Sequence, residues 1–177
     1  MGGKGRINPA GFMIHGCVHA GRPEVACVLH LHTPDGCTVA TQVAGLLPLT
    51  QHALVILDDV AYHDFEGVVL DPAERARLLA DLGDKRMLIL RNHGTLTAGR
   101  SVGEAFALMY RLERACRMQV AAQNTGQPLR TLPQAVIEST MATGRRAFAN
   151  DGFLPAGQME WAAMLRKLDS MDIDYLG

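Results

Sequence analysis

The sequence predicts an α/β protein. Three short apolar runs, at 24–31, 53–57 and 86–91, have the length and the Val, Leu and Ile content of buried strands. Helical patterns lie between them, two opened by a cap residue followed by proline. Strands alternating with helices are the signature of the α/β class.

Each element follows from local chemistry. Residues 9–20 (PAGFMIHGCVHA) read as a short helix with Phe12, Ile14 and Val18 as its apolar positions and His15 and His19 at i, i+4; Gly21-Arg22-Pro23 breaks it. Residues 24–31 (EVACVLHL) form the first strand. Thr33 then caps a helix with Pro34 in its first position, running to about Ala44 and stopping at Gly45. Residues 53–57 (ALVIL) are the second expected strand, and 60–70 are β-prone but mixed. Asp71-Pro72-Ala73-Glu74 opens a helix with Leu78, Leu79 and Leu82 on one face, ending near Gly83. Residues 86–91 (RMLILR) are the third strand, and Asn92-His93-Gly94 is the turn after it. Ser101 and Glu104 have capping-box spacing before a long helix to about Gln123, with Ala105, Leu108, Leu112, Ala115 and Val120 at helical spacing. Thr125 to Pro128 ends it, and helices near 133–147 and 157–169 complete the chain. No repeat, low-complexity stretch or linker interrupts 1–177, so a single domain is expected.

At 177 residues the chain is long enough for one substantial core. Its 17 basic and 18 acidic side chains leave a formal net charge of −1, which argues against a general nucleic-acid binder. No apolar run approaches ~18 residues, so no membrane span is expected. The N-terminus lacks the apolar core of a secretory signal. Cys17, Cys27, Cys37 and Cys116 show no CxxC spacing; they read as small buried hydrophobes in a reduced, cytoplasmic protein.

The histidines carry more information. His30 and His32 stand at i, i+2 at the end of a strand, so both imidazoles point to one face. His93 follows another buried strand directly. Parallel strands would bring all three to one carboxyl edge, where α/β proteins bind ligands. Three imidazoles with an open fourth position suit a catalytic zinc, and imidazole also accepts Fe, Ni or Cu. The same pattern fits two histidines that hydrogen-bond in a cleft.

Other polar residues have structural readings. Asp35 suits the first turn of its helix. Tyr62, His63, Asp64 and Glu66 fit a pocket rim or an exposed polar strand. Asn92 could orient ligand side chains. Arg111, Glu113, Arg114 and Arg117 read as a solvated helix face with local ion pairs or as a subunit contact, and Met109 and Met118 as core filler.

The segments RINPAGFMIHGCVHAGRPEVACVLHLHT, LLPLTQHAL, AYHDFEG, LILRNHGTLTAG and EAFALMYRLERACRMQ resemble the class II aldolase/adducin family from about residue 7 to 125. That resemblance implies a three-layer αβα sandwich with a central sheet flanked by helices. It also implies a homo-oligomer, usually a tetramer with active sites between subunits. It matches the family's metal ligands to His30, His32 and His93 and implies a divalent cofactor, Zn²⁺ first, with Mn²⁺, Fe²⁺ or Co²⁺ as alternatives.

Two departures stand out. Where sugar-phosphate aldolases of the family carry a glutamate acid/base, this chain has Gly11, which can neither ligate nor carry a proton. Glu24 is not its equivalent. The family's N-terminal phosphate-holding segment is expected to be missing, as a shortened reading frame would explain, and Gln51 and His52 stand where a later acid/base is found. His15, one helical turn from Gly11, is the substitute base, although a packed role suits it equally, as it does His19, His52 and His63. Two functions compete: a metal-dependent lyase for a small hydroxylated carbonyl or sugar-derived substrate, and a non-catalytic domain like the adducin head.

Overall fold

The computed structural model describes residues 8–67, 73–149 and 151–171. The elements in chain order are α1 (Pro9–Gly21), β1 (Cys27–Leu31), α2 (Pro34–Ala40), α3 (Gln51–Leu54), a single 3₁₀ turn (Leu57–Asp59), β2 (Val60–His63), α4 (Glu74–Leu82), β3 (Met87–Leu90), β4 (Gly94–Gly99), α5 (Val102–Asn124), α6 (Gln134–Phe148) and α7 (Gln158–Ser170).

The four strands form one sheet in the order β1-β4-β3-β2. β4 is antiparallel to both of its neighbours, while β2 and β3 are parallel. Thus β1, β2 and β3 all run one way, and β4 alone runs back between β1 and β3.

Alternation divides the sheet between two cores. On one face Val28, Leu88, Leu90, Leu96 and Ala98 pack with Ile14 and Val18 of α1 and Leu78 and Leu82 of α4. On the other face Val60, Met87 and Ile89 pack with Val39 of α2, Ala53 of α3 and Leu108, Leu112 and Cys116 of α5. The result is the expected three-layer αβα sandwich. Thr95 and Thr97 of β4 point into the α5 side, fully buried. Thr97 Oγ1 donates to the Ala105 carbonyl at 2.9 Å and Thr95 Oγ1 to Glu113 at 2.6 Å, so neither hydroxyl is wasted.

Several boundaries differ from the expectation, each for a local reason. Residues 53–57 are not a strand. Thr50 accepts from Ala53 N and starts α3, and the run continues into the 3₁₀ turn; a short apolar run does not itself distinguish the two states. β1 begins at Cys27 rather than 24. α2 is capped by Thr33 as expected but ends at Ala40, before Gly45 turns beneath Tyr62 at φ +64°. β4 was not foreseen, because GTLTAG opens and closes on glycine, which is depleted in strands. Asp71 and Pro72, the expected opening of α4, lie outside the described residues. Ser101 caps α5 by accepting from Glu104 N, but Glu104 reaches back to Arg100 N rather than to the cap itself.

All four cysteines are free; Cys17 and Cys116 are buried, whereas Cys27 and Cys37 are only half-buried. Among the described residues, no helix is long and apolar enough to cross a membrane.

Candidate metal centre

β1 and β3 are not adjacent, yet they run in the same direction, so their carboxyl ends share one edge of the sheet. His30 is the fourth residue of β1, and His32 lies just beyond its end. His93 sits in the tight turn between β3 and β4, where Leu90 pairs with Gly94. The three rings converge, with centroids 4.6, 4.8 and 4.7 Å apart in mutually edge-on arrangements. Their ligand-capable nitrogens all lie within 4.8 Å of one another.

Each ring is held differently. His30 Nδ1 lies 3.0 Å from the Thr95 carbonyl, an acceptor only, so Nδ1 carries the hydrogen and Nε2 is left free. That Nε2 faces His32 Nε2 at 2.8 Å. Two nitrogens on a tetrahedral zinc stand about 3.3 Å apart, so a slight rotation of one exposed ring would suit a shared ion. The His93 turn is strapped down by backbone bonds from its own N–H to Leu90, from Asn92 to Ala40 and from Arg91 to His63. Arg91 stacks on Tyr62 and donates to the Gln42 carbonyl at 2.7 Å. Cys37 Sγ donates to the His93 carbonyl at 3.1 Å. Asn92 takes the left-handed conformation at φ +55°, one that asparagine tolerates.

The electrostatics favour the neutral form of His30 and His93. Burial pushes the His30 pKa down to about 4 against the opposing bond to the Thr95 carbonyl, with smaller lowering contributions from His93, His32 and His15. Burial, then His32, lowers that of His93. Neutral rings are the form a metal requires. The donor set of three imidazoles on one edge therefore fits a divalent ion.

His15 lies on α1, half-buried and within electrostatic reach of His30; burial and then His19 lower its pKa. Gly11 lies one turn earlier on the same helix, in a spot where a Cβ would meet nothing closer than Asn8 at 4.0 Å. His19 is exposed, its Nδ1 3.1 Å from the Val25 carbonyl. Gln51 and His52 are exposed on α3. Neither His19 nor His52 belongs to the three-histidine cluster.

Three residues read as surface polar groups turn inward instead. Glu113 accepts from Thr33 and Thr95, tying the start of α2 to β4 beside the histidines. Arg111 stacks on Phe148 and pairs with Glu160. His63, in a segment that fits either a pocket rim or an exposed polar strand, is 3% exposed, lines a small cavity and is bonded to Asp81. The three depend on α5 and α4 packing over the sheet, which helical spacing alone does not reveal.

The family model for the Class II Aldolase and Adducin N-terminal domain matches residues 1–120. A Pseudomonas aeruginosa protein provisionally named an aldolase class 2 protein is 45% identical over 172 residues, covering 96% of this chain and 65% of that protein. Mouse alpha-adducin is 38% identical over 173 residues, covering 93% of this chain and 23% of its own length. Among solved structures, an aldolase II superfamily protein from Pseudomonas syringae has a TM-score of 0.87 at 44% identity, covering 96% of this chain and 66% of that one. The L-fuculose 1-phosphate aldolase of Glaciozyma antarctica has a TM-score of 0.72 at 27% identity, covering 96% and 63%. The chain thus spans just under two thirds of the bacterial relatives it matches.

Proposed function

Because the chain belongs to the family of the class II aldolase and adducin N-terminal domain, we propose that His30, His32 and His93 hold a divalent metal, Zn²⁺ first, for aldol-type cleavage of a small hydroxylated carbonyl or sugar-derived substrate. The observation that carries this reading is the convergence of three imidazoles at one sheet edge. When bound, such an ion supplies Lewis-acid stabilisation of negative charge on a substrate oxygen. Thr95 and Glu113 keep two of the histidine-bearing segments in place. His15 is the nearby residue that could move a proton, since its depressed pKa leaves it a neutral acceptor at pH 7.

The competing reading, a binding domain like the adducin head, draws support from Gly11, which offers no proton carrier. We read residues 1–177 as one domain that works as a homo-oligomer, a tetramer by the family pattern, in the cytoplasm.

Elemental analysis of tag-free wild type, His30→Ala and His93→Ala tests the site. We expect near-stoichiometric divalent metal in the wild type and its loss in both variants, followed by cleavage in a screen of hydroxylated carbonyl compounds. A wild type without metal after reconstitution would overturn the metal reading and favour the binding role.

A further inference from the structure

Metal-binding histidines nearly always donate their outer N–H to a fixed acceptor. His30 has the Thr95 carbonyl. Among the described residues, the His93 ring has no hydrogen-bond partner. It does line a small cavity of about 10 Å³, close to the minimum for one water, together with His63 and Glu74.

Those two residues are unusual in themselves. His63 and Glu74 are each 3% exposed, on β2 and the first turn of α4. His63 Nδ1 lies 2.7 Å from Asp81 Oδ2 and so carries a hydrogen. Its Nε2 is buried without a hydrogen-bond partner and faces Glu74 Oε1 at 3.5 Å, too far for a direct bond. A buried carboxylate and a buried orphan nitrogen both carry a desolvation cost unless something joins them.

We propose that Glu74, steadied by His63, is the positioning carboxylate for His93, acting through one buried water. The proton accounting closes. The outer N–H of His93 donates to the water oxygen. The water's two hydrogens go to Glu74 and to His63 Nε2, and His63 Nδ1–H goes to Asp81. The orphan His63 Nε2 then has a donor, and Glu74 is joined to His93 through the same water. Gly11 offers no carboxylate from α1; the link to Glu74 runs through a ligand side chain.

The inference takes His93 as a ligand and so rests on the metal reading, but ring orientation is measurable without metal. The experiment compares the wild type with Glu74→Gln, which keeps shape and removes charge, and with His63→Asn, which keeps a donor at the Nδ1 position for Asp81 and removes Nε2. Histidine ring ¹⁵N NMR of the metal-free proteins reads the His93 tautomer. Cobalt titration reads affinity, and thermal melting checks the fold. We expect one His93 tautomer in the wild type, a mixture in Glu74→Gln, and a Co²⁺ dissociation constant raised about tenfold or more. A folded Glu74→Gln with the wild-type tautomer and affinity would overturn the proposal. If Glu74→Gln does not fold, His63→Asn decides by the same two readouts. A wild type that binds no Co²⁺ but shows the tautomer change would overturn the metal reading and leave the Glu74–His93 link standing.

Discussion

At the scale of single residues, Gly94 is the tightest constraint on the site. A methyl group there would lie 2.4 Å from the Leu31 carbonyl oxygen and 3.0 Å from His32 Cδ2. β1 and β4 would have to separate where His32 leaves the sheet. Gly94→Ala is therefore expected to lower stability by about 1–3 kcal/mol, as overpacking does, and to weaken metal binding sharply. Urea unfolding and a zinc titration measure the two effects; unchanged zinc affinity would show that the contact relaxes without moving His32. His30 adds a pH dependence. Its folded pKa lies near 4, below the 6.5 of the unfolded chain, so between those values the unfolded state binds the extra proton. Stability of the metal-free protein is fully present above about pH 6.5 and is lost as the pH falls toward 4. The lowered pKa of His93 acts in the same direction. Urea midpoints measured across that window should fall with pH in the wild type, and fall less steeply in His30→Asn. The His30-His32 spacing was legible in the sequence because strand geometry alone puts i and i+2 on one face. The Gly94 constraint was not, since the obstructing carbonyl belongs to another strand. Nor was the meeting of His63, Glu74 and Asp81, which requires α4 to lie over the end of β2.

At the scale of elements, caps decided more than apolar runs. Ser101, Thr33 and the Gly126 break were readable and set both ends of α5 and the start of α2. The 53–57 run was misread because Thr50, three residues upstream of Ala53, supplies a cap that an apolar count ignores. α3 then has a partner in α6, and Gly144 makes the close approach possible. A Cβ at 144 would come within 2.1 Å of the Val55 carbonyl oxygen. This contact sits near Arg86 and Met87, at the start of β3 and thus at the sheet edge opposite the histidines. Gly144→Ala should lower the melting temperature, again by about 1–3 kcal/mol of stability, while leaving metal content unchanged. The contrast with Gly94→Ala separates damage to packing from damage to the site. Loss of metal in both variants would mean that the two edges of the sheet are mechanically coupled.

At the scale of the whole molecule, the α/β class and the shared carboxyl edge were legible, but not through the parallel pairing that suggested them. β1 and β3 are kept parallel by the unforeseen β4 between them, so the histidines meet across an antiparallel strand. That topology leaves β1 at the margin. Among the described residues, no backbone hydrogen bond joins 27–31 to any strand but β4. Leu31 on this margin is 39% exposed. An open strand edge is a site for pairing with another chain unless something covers it. Self-association through or over this edge would also enclose His30 and His32, whose open side a substrate would otherwise share with bulk water. Light scattering at micromolar concentration is expected to give a multiple of the 19.1 kDa chain mass. Leu31→Lys, which places a charge on the margin, should shift the mass toward a single chain. A wild type of 19.1 kDa in solution would refute the oligomer and leave the histidines at an open edge. A stable oligomer indifferent to Leu31→Lys would place the contact elsewhere, on the helical layers.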